Sequence, residues 1–131
     1  LSRVNSILIA NSVFSSNSGL QSGLFDLSSA PTSLLLWVVG STFSRNSAPL
    51  GSVFYTSILS DPTAQAVFAA CTFSANSAGK SGGAVTVNAG KVWLIASKLE
   101  GNYAPIGGAV NVAGGQIHPQ RQQRDQKVRK M

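Results

Sequence analysis

Four carboxylates, Asp26, Asp61, Glu100 and Asp125, one imidazole, His118, and one thiol, Cys71, are the acid, base and soft-ligand groups offered by this chain of 131 residues. General acid–base chemistry needs two such groups converging on one site. Asp26 and Asp61 are 35 residues apart and could meet only by stacking. Asp61 precedes Pro62 and reads as a turn former, while Glu100 falls in a turn motif. A zinc site takes about four ligands, and a calcium cage takes several carboxylates. His118 and Cys71, 47 residues apart, supply neither. No catalytic residue, metal site or cofactor is therefore expected. Gly79-Lys80-Ser81 matches the end of a phosphate-binding loop, but the upstream glycine is missing and no helix follows. A single cysteine excludes an intramolecular disulfide, and Cys71 is expected to be a buried small hydrophobe.

The remaining recognition chemistry is aromatic. Trp37, Trp93, Phe25, Phe54, Tyr55 and Tyr103 could offer planar faces to a sugar ring or a protein. Trp37 and Trp93 fall at similar places in the pattern set out below, so they are the candidate ligand-contact aromatics. The competing expectation is that both pack inside, or cover a face against a missing neighbour.

Charge is uneven along the chain. Residues 118–131 carry five Lys/Arg against one Asp, a net +4 of the total +6. The preceding 117 residues are nearly neutral. The basic segment lacks the interleaved aromatics that stack on bases, so no nucleic-acid partner is expected. It reads as a disordered tail or a polar cap, and a cap has a physical motive because open strand edges invite aggregation.

Hydrophobic residues make up 44% of the chain and charged residues 11%. This is enough apolar content for a core and too much for disorder. It is also too little charge for an ordinary enzyme surface, since globular domains carry about 25%. The longest apolar run, Leu34 to Val39, is too short to cross a bilayer, which takes about 20 residues. No transmembrane segment and no leader peptide is expected. The start at Leu1 reads as that of a fragment or a mature product.

What must position these groups is an internal repeat. Phe14, Phe43, Phe73 and Leu99 each stand three residues before an asparagine, Asn17, Asn46, Asn76 and Asn102. Five or six residues after each asparagine comes a glycine: Gly23, Gly51, Gly82 and Gly107. The last two copies read Gly82-Gly83-Ala84-Val85 and Gly107-Gly108-Ala109-Val110. The asparagine spacings are 29, 30 and 26. Composition excludes helical repeats, because Ser, Gly, Asn, Val and Thr are turn and strand residues. Val85-Thr86-Val87 and Val110-Asn111-Val112 alternate as strands with one buried face. Leu34 to Val39 and Val92 to Ile95 are continuously apolar, as in parallel sheets. Alternation therefore does not say whether Leu36 and Leu94 or their neighbours point inward.

A unit of this length with two or three short strands makes one coil of a parallel β-solenoid. One coil cannot bury its inner face, but stacked coils can. The expected fold is an all-β right-handed parallel β-helix of about four coils over residues 1–117, with repeats near 7–33, 34–65, 66–90 and 91–117. Residues 118–131 form the separate tail. Stacking would turn Phe14, Phe43, Phe73 and Leu99 into an apolar column. Asn17, Asn46, Asn76 and Asn102 would form a column at a turn, bonded amide to amide along the axis and tolerating a left-handed backbone. Gly23, Gly51, Gly82, Gly83, Gly107 and Gly108 would serve the next corner.

The pairing of Phe-x-x-Asn with Gly-Gly-Ala-[Ile/Leu/Val] resembles the polymorphic outer membrane protein repeat, best known from chlamydial surface autotransporters. Phe73 to Asn76 with Gly82 to Val85 matches both halves. Leu99 replaces the phenylalanine of the fourth copy, and the first two copies only echo the second half. The resemblance covers about residues 7–115. It implies a right-handed β-helix at the cell surface or outside the cell, acting in adhesion or as a spacer and not as an enzyme. Its partners would be a surface protein or a glycan. They would meet the outer strand faces and the loops near 28–33, 57–65 and 88–91. Neighbouring coils of a longer chain, or self-association through open ends, would complete the stack. The alternatives are a carbohydrate-binding or polysaccharide-cleaving pectin-lyase-like β-helix, and a degenerate fragment without a function of its own.

Overall fold

The computed structural model describes residues 5–26, 34–56, 65–114, 116–118 and 128–130. They form an all-β parallel solenoid, and none of them is helical. The first coil holds β1 (Asn5–Ala10), β2 (Val13–Ser15) and β3 (Phe25–Asp26). The second holds β4 (Leu34–Val39), β5 (Thr42–Ser44), β6 (Ser47–Leu50) and β7 (Phe54–Thr56). The third holds β8 (Gln65–Ala69), β9 (Thr72–Ser74), β10 (Ser77–Ser81) and β11 (Val85–Val87). The fourth holds β12 (Lys91–Ile95), β13 (Lys98–Glu100) and β14 (Val110–Val112). Two further strands follow, β15 (Gln116–His118) and β16 (Val128–Lys130). Four stacked levels make three steps along the axis.

Equivalent strands pair coil on coil, all in parallel. The first face is the sheet β1-β4-β8-β12-β15, the second is β2-β5-β9-β13, and another is β3-β7-β11-β14-β16. The sequence suggests two or three strands per coil, but the middle coils have four. The extra strands β6 and β10 pair with each other, and isolated bridges at Ser18, Ser22, Tyr103 and Ile106 extend the same face to the outer coils. A register shift between Ala78 and Ser81 absorbs the longer third copy. The fourth copy starts early because the preceding corner is a tight turn. There Thr56 Oγ1 accepts the N–H groups of Asn88 and Ala89, and Gly90 takes a φ of 79°. Of the loop residues singled out above, 28–33 and 57–64 lie outside the described residues, as do Asp61 and Asp125.

The register decides what faces inward. In the first sheet Ile7, Leu36, Ala66, Val92 and Ile117 share one column, and Ile9, Val38, Phe68 and Leu94 another. Apart from Ile7, both columns join the core. Leu8, Trp37, Val67 and Trp93 alternate with them and face out. On the second sheet Phe14, Phe43, Phe73 and Leu99 lie in one register. The Phe43 ring is stacked on Phe14 at 5.1 Å and on Phe73 at 5.2 Å. Phe68 meets Phe43, Phe54 and Phe73 edge-on, and Phe25 meets Phe14 and Phe43 in the same way. All six phenylalanines of the chain thus join one aromatic core. Phe25 and Phe54, weighed above as ligand platforms, belong to it.

Cover from neighbouring coils sets burial at the first level. Leu36 is 1% exposed, while Ile7, in the same column at the first level, is 48% exposed. At the other end the backbone of β16 pairs with β14, placing Val128 beside Val110. The basic segment, set apart from the repeat on sequence grounds, therefore ends as a strand of the stack and covers that edge of the sheet.

Two corners of every coil turn through a left-handed residue. At the first these are Asn11, Gly40, Ala70 and Ala96, with φ of 50°, 60°, 54° and 49°. At the second they are Ser16, Arg45, Ala75 and Gly101, with φ of 57°, 55°, 55° and 66°. The sequence reading assigns this tolerance to the column asparagines, but the residue just before each one carries it. The third corner uses glycine. Gly51, Gly82, Gly107 and Gly108 have positive φ, while Gly23 and Gly83 do not. At Gly83 the reason is space, since a Cβ would lie 2.5 Å from the Tyr103 nitrogen.

The left-handed corners generate a graded prediction. A left-handed L-residue costs about 1–2 kcal/mol, and glycine gives back about 0.5–1 kcal/mol in entropy. Ala75→Gly should therefore stabilise by up to about 1 kcal/mol, and Gly101→Ala should destabilise by about as much. Gly82→Ala should cost well over 2 kcal/mol, because its Cβ would lie 2.1 Å from the Val85 carbonyl oxygen as well as at φ 56°. Urea-melt midpoints of the three variants check the order.

Candidate functional site

The side chains that repeat with the coil hold the coils together. Asn76 is fully buried. Its Oδ1 accepts the Asn46 backbone N–H at 2.9 Å and the Asn46 Nδ2–H at 3.0 Å. Its Nδ2 donates to the Phe43 carbonyl at 3.0 Å and to Asn102 Oδ1 at 2.8 Å. Asn46 repeats the pattern, accepting from Asn17 and donating to the Phe14 carbonyl and Asn76. Asn102 donates to the Phe73 carbonyl. The two inner amides thus fill two donor and two acceptor positions each, which a buried amide requires. Asn17, at the open first level, is exposed.

A second ladder runs at the neighbouring corner. The Ser12 N–H donates to Ser41 Oγ at 3.1 Å, and the Cys71 N–H donates to Ser97 Oγ at 3.1 Å. Ser97 Oγ reaches back to the Phe68 carbonyl at 2.9 Å. Cys71 Sγ lies 3.3 Å from the Val38 carbonyl oxygen, in the coil before. The column Ser12, Ser41, Cys71, Ser97 sits two places before Phe14, Phe43, Phe73 and Leu99. Its sequence signal is a serine in three of the four copies, replaced by Cys71 in the third, and the sequence reading missed it. Burial pushes the Cys71 thiol above its ordinary pKa, with backbone hydrogen bonds opposing in part.

The titratable groups are dispersed. Ser22 Oγ–H donates to Asp26 Oδ2 within one turn. Glu100 pairs with Lys98 at 3.4 Å across the exposed face of one strand. Among the described residues no three His, Cys, Asp or Glu gather where a metal could sit. Nor is any helix among them long and apolar enough to cross a membrane. One shallow hollow opens at the first level, lined by Asn17, Ser18, Gly19, Leu24, Ser47 and Ser52.

The tryptophans behave differently. Trp37 and Trp93 share one outward column of the first sheet, each directly beside Val67, so they sit on one face two coils apart. Trp37 is 41% exposed and Trp93 half-buried. Neither enters the core, so the expectation of inward packing is not met. Trp93 Nε1–H donates to Gln65 Oε1 at 3.3 Å, one coil back. Tyr103 is exposed, and Tyr55 is intermediate.

No family model matches this chain, and no curated protein or solved structure matches it either.

Two predictions follow from the ladders. Asn76→Ala strands the Asn46 backbone N–H, one Nδ2–H of Asn46 and the Phe43 carbonyl, and should cost at least about 3 kcal/mol. Asn17→Ala, at the open end, should cost about 1 kcal/mol or less. Chemical denaturation of both variants checks the contrast. The raised Cys71 pKa keeps the folded thiol protonated where the unfolded thiol ionises. The stability it adds is complete below the ordinary thiol pKa and is lost as pH rises through the folded value. Unfolding free energies from pH 7 to 11 should fall more steeply for the native chain than for Cys71→Ser.

Proposed function

We propose that this chain is a non-enzymatic β-solenoid module of the cell surface or extracellular space, working in adhesion or as a rigid spacer. The surface placement rests on the repeat motifs. The absence of catalysis rests on one observation above the others: the polar side chains that repeat with the coil are occupied by neighbouring coils. The inner asparagine amides have all four positions filled, and Cys71 is buried among carbonyl oxygens. Asp26 and Glu100 each lie beside a neighbour on their own strand or turn. A partner would meet the outer faces of the stacked strands, which repeat coil on coil.

The polysaccharide-cleaving alternative makes an opposite demand, because glycosidic cleavage needs two carboxyl groups about 5–10 Å apart across a bond. Incubating the full chain with a panel of plant, fungal and bacterial polysaccharides, and reading reducing ends and unsaturated products, should detect no turnover. Labelled chain should meanwhile bind cells or matrix saturably. Product release would overturn the non-enzymatic reading, and absence of binding would leave the spacer role as its only form.

A further inference from the structure

In the second sheet the middle residue of each strand turns inward, so the residues on either side of it point out. The strand register lines up Val13, Thr42, Thr72 and Lys98 in one outward column and Ser15, Ser44, Ser74 and Glu100 in the other, with no register shift. Each of the first three levels therefore presents a β-branched side chain and a serine. Among the described residues, the hydroxyls of Ser15, Thr42, Ser44, Thr72 and Ser74 have no hydrogen-bond partner in the protein. Ser41 and Ser97, at the corner just before this face, have theirs taken up by backbone groups. All five free hydroxyls belong to residues that are exposed or partly exposed. Phe43 and Phe73 are fully buried beneath them, which anchors the strands, and a β-branched side chain has few χ1 choices. The first three levels of both columns carry no charged side chain. Lys98 and Glu100 close the array at the fourth level and pair with each other. Arg45 stands off the face, at the left-handed corner beyond Ser44.

We propose that this face binds ice. This goes beyond the adhesive or spacer role, because the ligand is a crystal of water and not a molecule of a cell or matrix. The levels follow one another at the strand spacing, about 4.8 Å, and the two columns are two residues apart along a strand, about 6.6 Å. The array thus repeats in two nearly perpendicular directions, and a ligand that meets all of it must repeat in both. The prism face of ice carries water oxygens at repeats close to these two. A hydroxyl both donates and accepts, as a lattice water does, so each level can hold waters in ice-like positions. The threonine methyls limit where those waters sit, and Val13, which has the shape of threonine, keeps such a methyl at the first level. A charged group would instead order water around itself, and these three levels have none. Nor do they turn outward an aromatic ring, the platform on which a sugar stacks. Their rings, Phe14, Phe43 and Phe73, belong to the core side of the sheet.

Cooling the full chain with a single seed crystal in a nanolitre osmometer tests this. At millimolar concentration the crystal should become faceted and should stop growing over an interval below its melting point. Labelled chain should also be enriched in slowly grown ice. Thr42→Tyr and Ser74→Tyr each put a bulky ring into the array and should abolish the interval. Val13→Thr completes a third threonine–serine level and should widen it. Lys80→Tyr, at an exposed position on another sheet, should leave it unchanged. All four positions lie outside the core, so the variants should keep the native circular dichroism and melting midpoint. The proposal falls if folded chain neither shapes ice nor enters it, if a folded tyrosine variant of the array keeps the interval, if Val13→Thr does not widen it, or if Lys80→Tyr abolishes it. Binding to crystalline cellulose by a chain without ice activity would also overturn it, and would assign these hydroxyls to a glycan.

Discussion

The buried amide of Asn76 sets the terms on which the coils stack. It must fill two donors and two acceptors away from water, and an unmet buried polar group costs about 1–3 kcal/mol. Only the coils above and below can fill them. Each carbonyl it reaches belongs to the phenylalanine that opens the motif one coil earlier, so the amide column and the aromatic column are locked to one register. A slip of one residue would reverse every strand side chain, exposing Phe43 and Phe73 and stranding the amides together. Polar and apolar demands thus select the same alignment, the agreement between levels that specifies a single fold.

Parallel stacking also gives the molecule a direction. Each inner asparagine accepts from the coil before it and donates to the coil after it, so the two ends differ. At the first level the inward column meets solvent, and Ile7, Phe14 and Asn17 lose the cover that Leu36, Phe43 and Asn46 enjoy. At the far level β15 and β16 occupy two of the sheet edges. A solenoid manages its ends by such coverage, because an uncovered strand edge is a template for pairing.

The same economy shapes where recognition can sit. Among the described residues the coil-repeating polar groups hold coils together, and Asp26 and Glu100 stand on different coils. The outer strand faces repeat coil on coil. Trp37 and Trp93 fall at one outward register two coils apart, each beside Val67.

The all-β class, the repeat period and the Phe and Asn columns were legible in the residues, because they depend on type and spacing along the chain. Four asparagines three residues after an apolar side chain suffice to define a coil. The left-handed corners were not legible. Ala70, Ala75, Ala96 and Arg45 carry positive φ that nothing in their side chains favours, and the stack over-determines it through the bonds on either side. The serine column was hidden by Cys71, whose place in it is a matter of backbone geometry. The strands Leu34–Val39 and Lys91–Ile95 show the limit most simply. Their apolar centres run without alternation, so the sequence determined that they are strands of a packed sheet. Which side faced the core was decided only when Phe68 and Phe43 occupied the interior and left Trp37 and Trp93 outside, since inside and outside are properties of the closed coil and not of the strand.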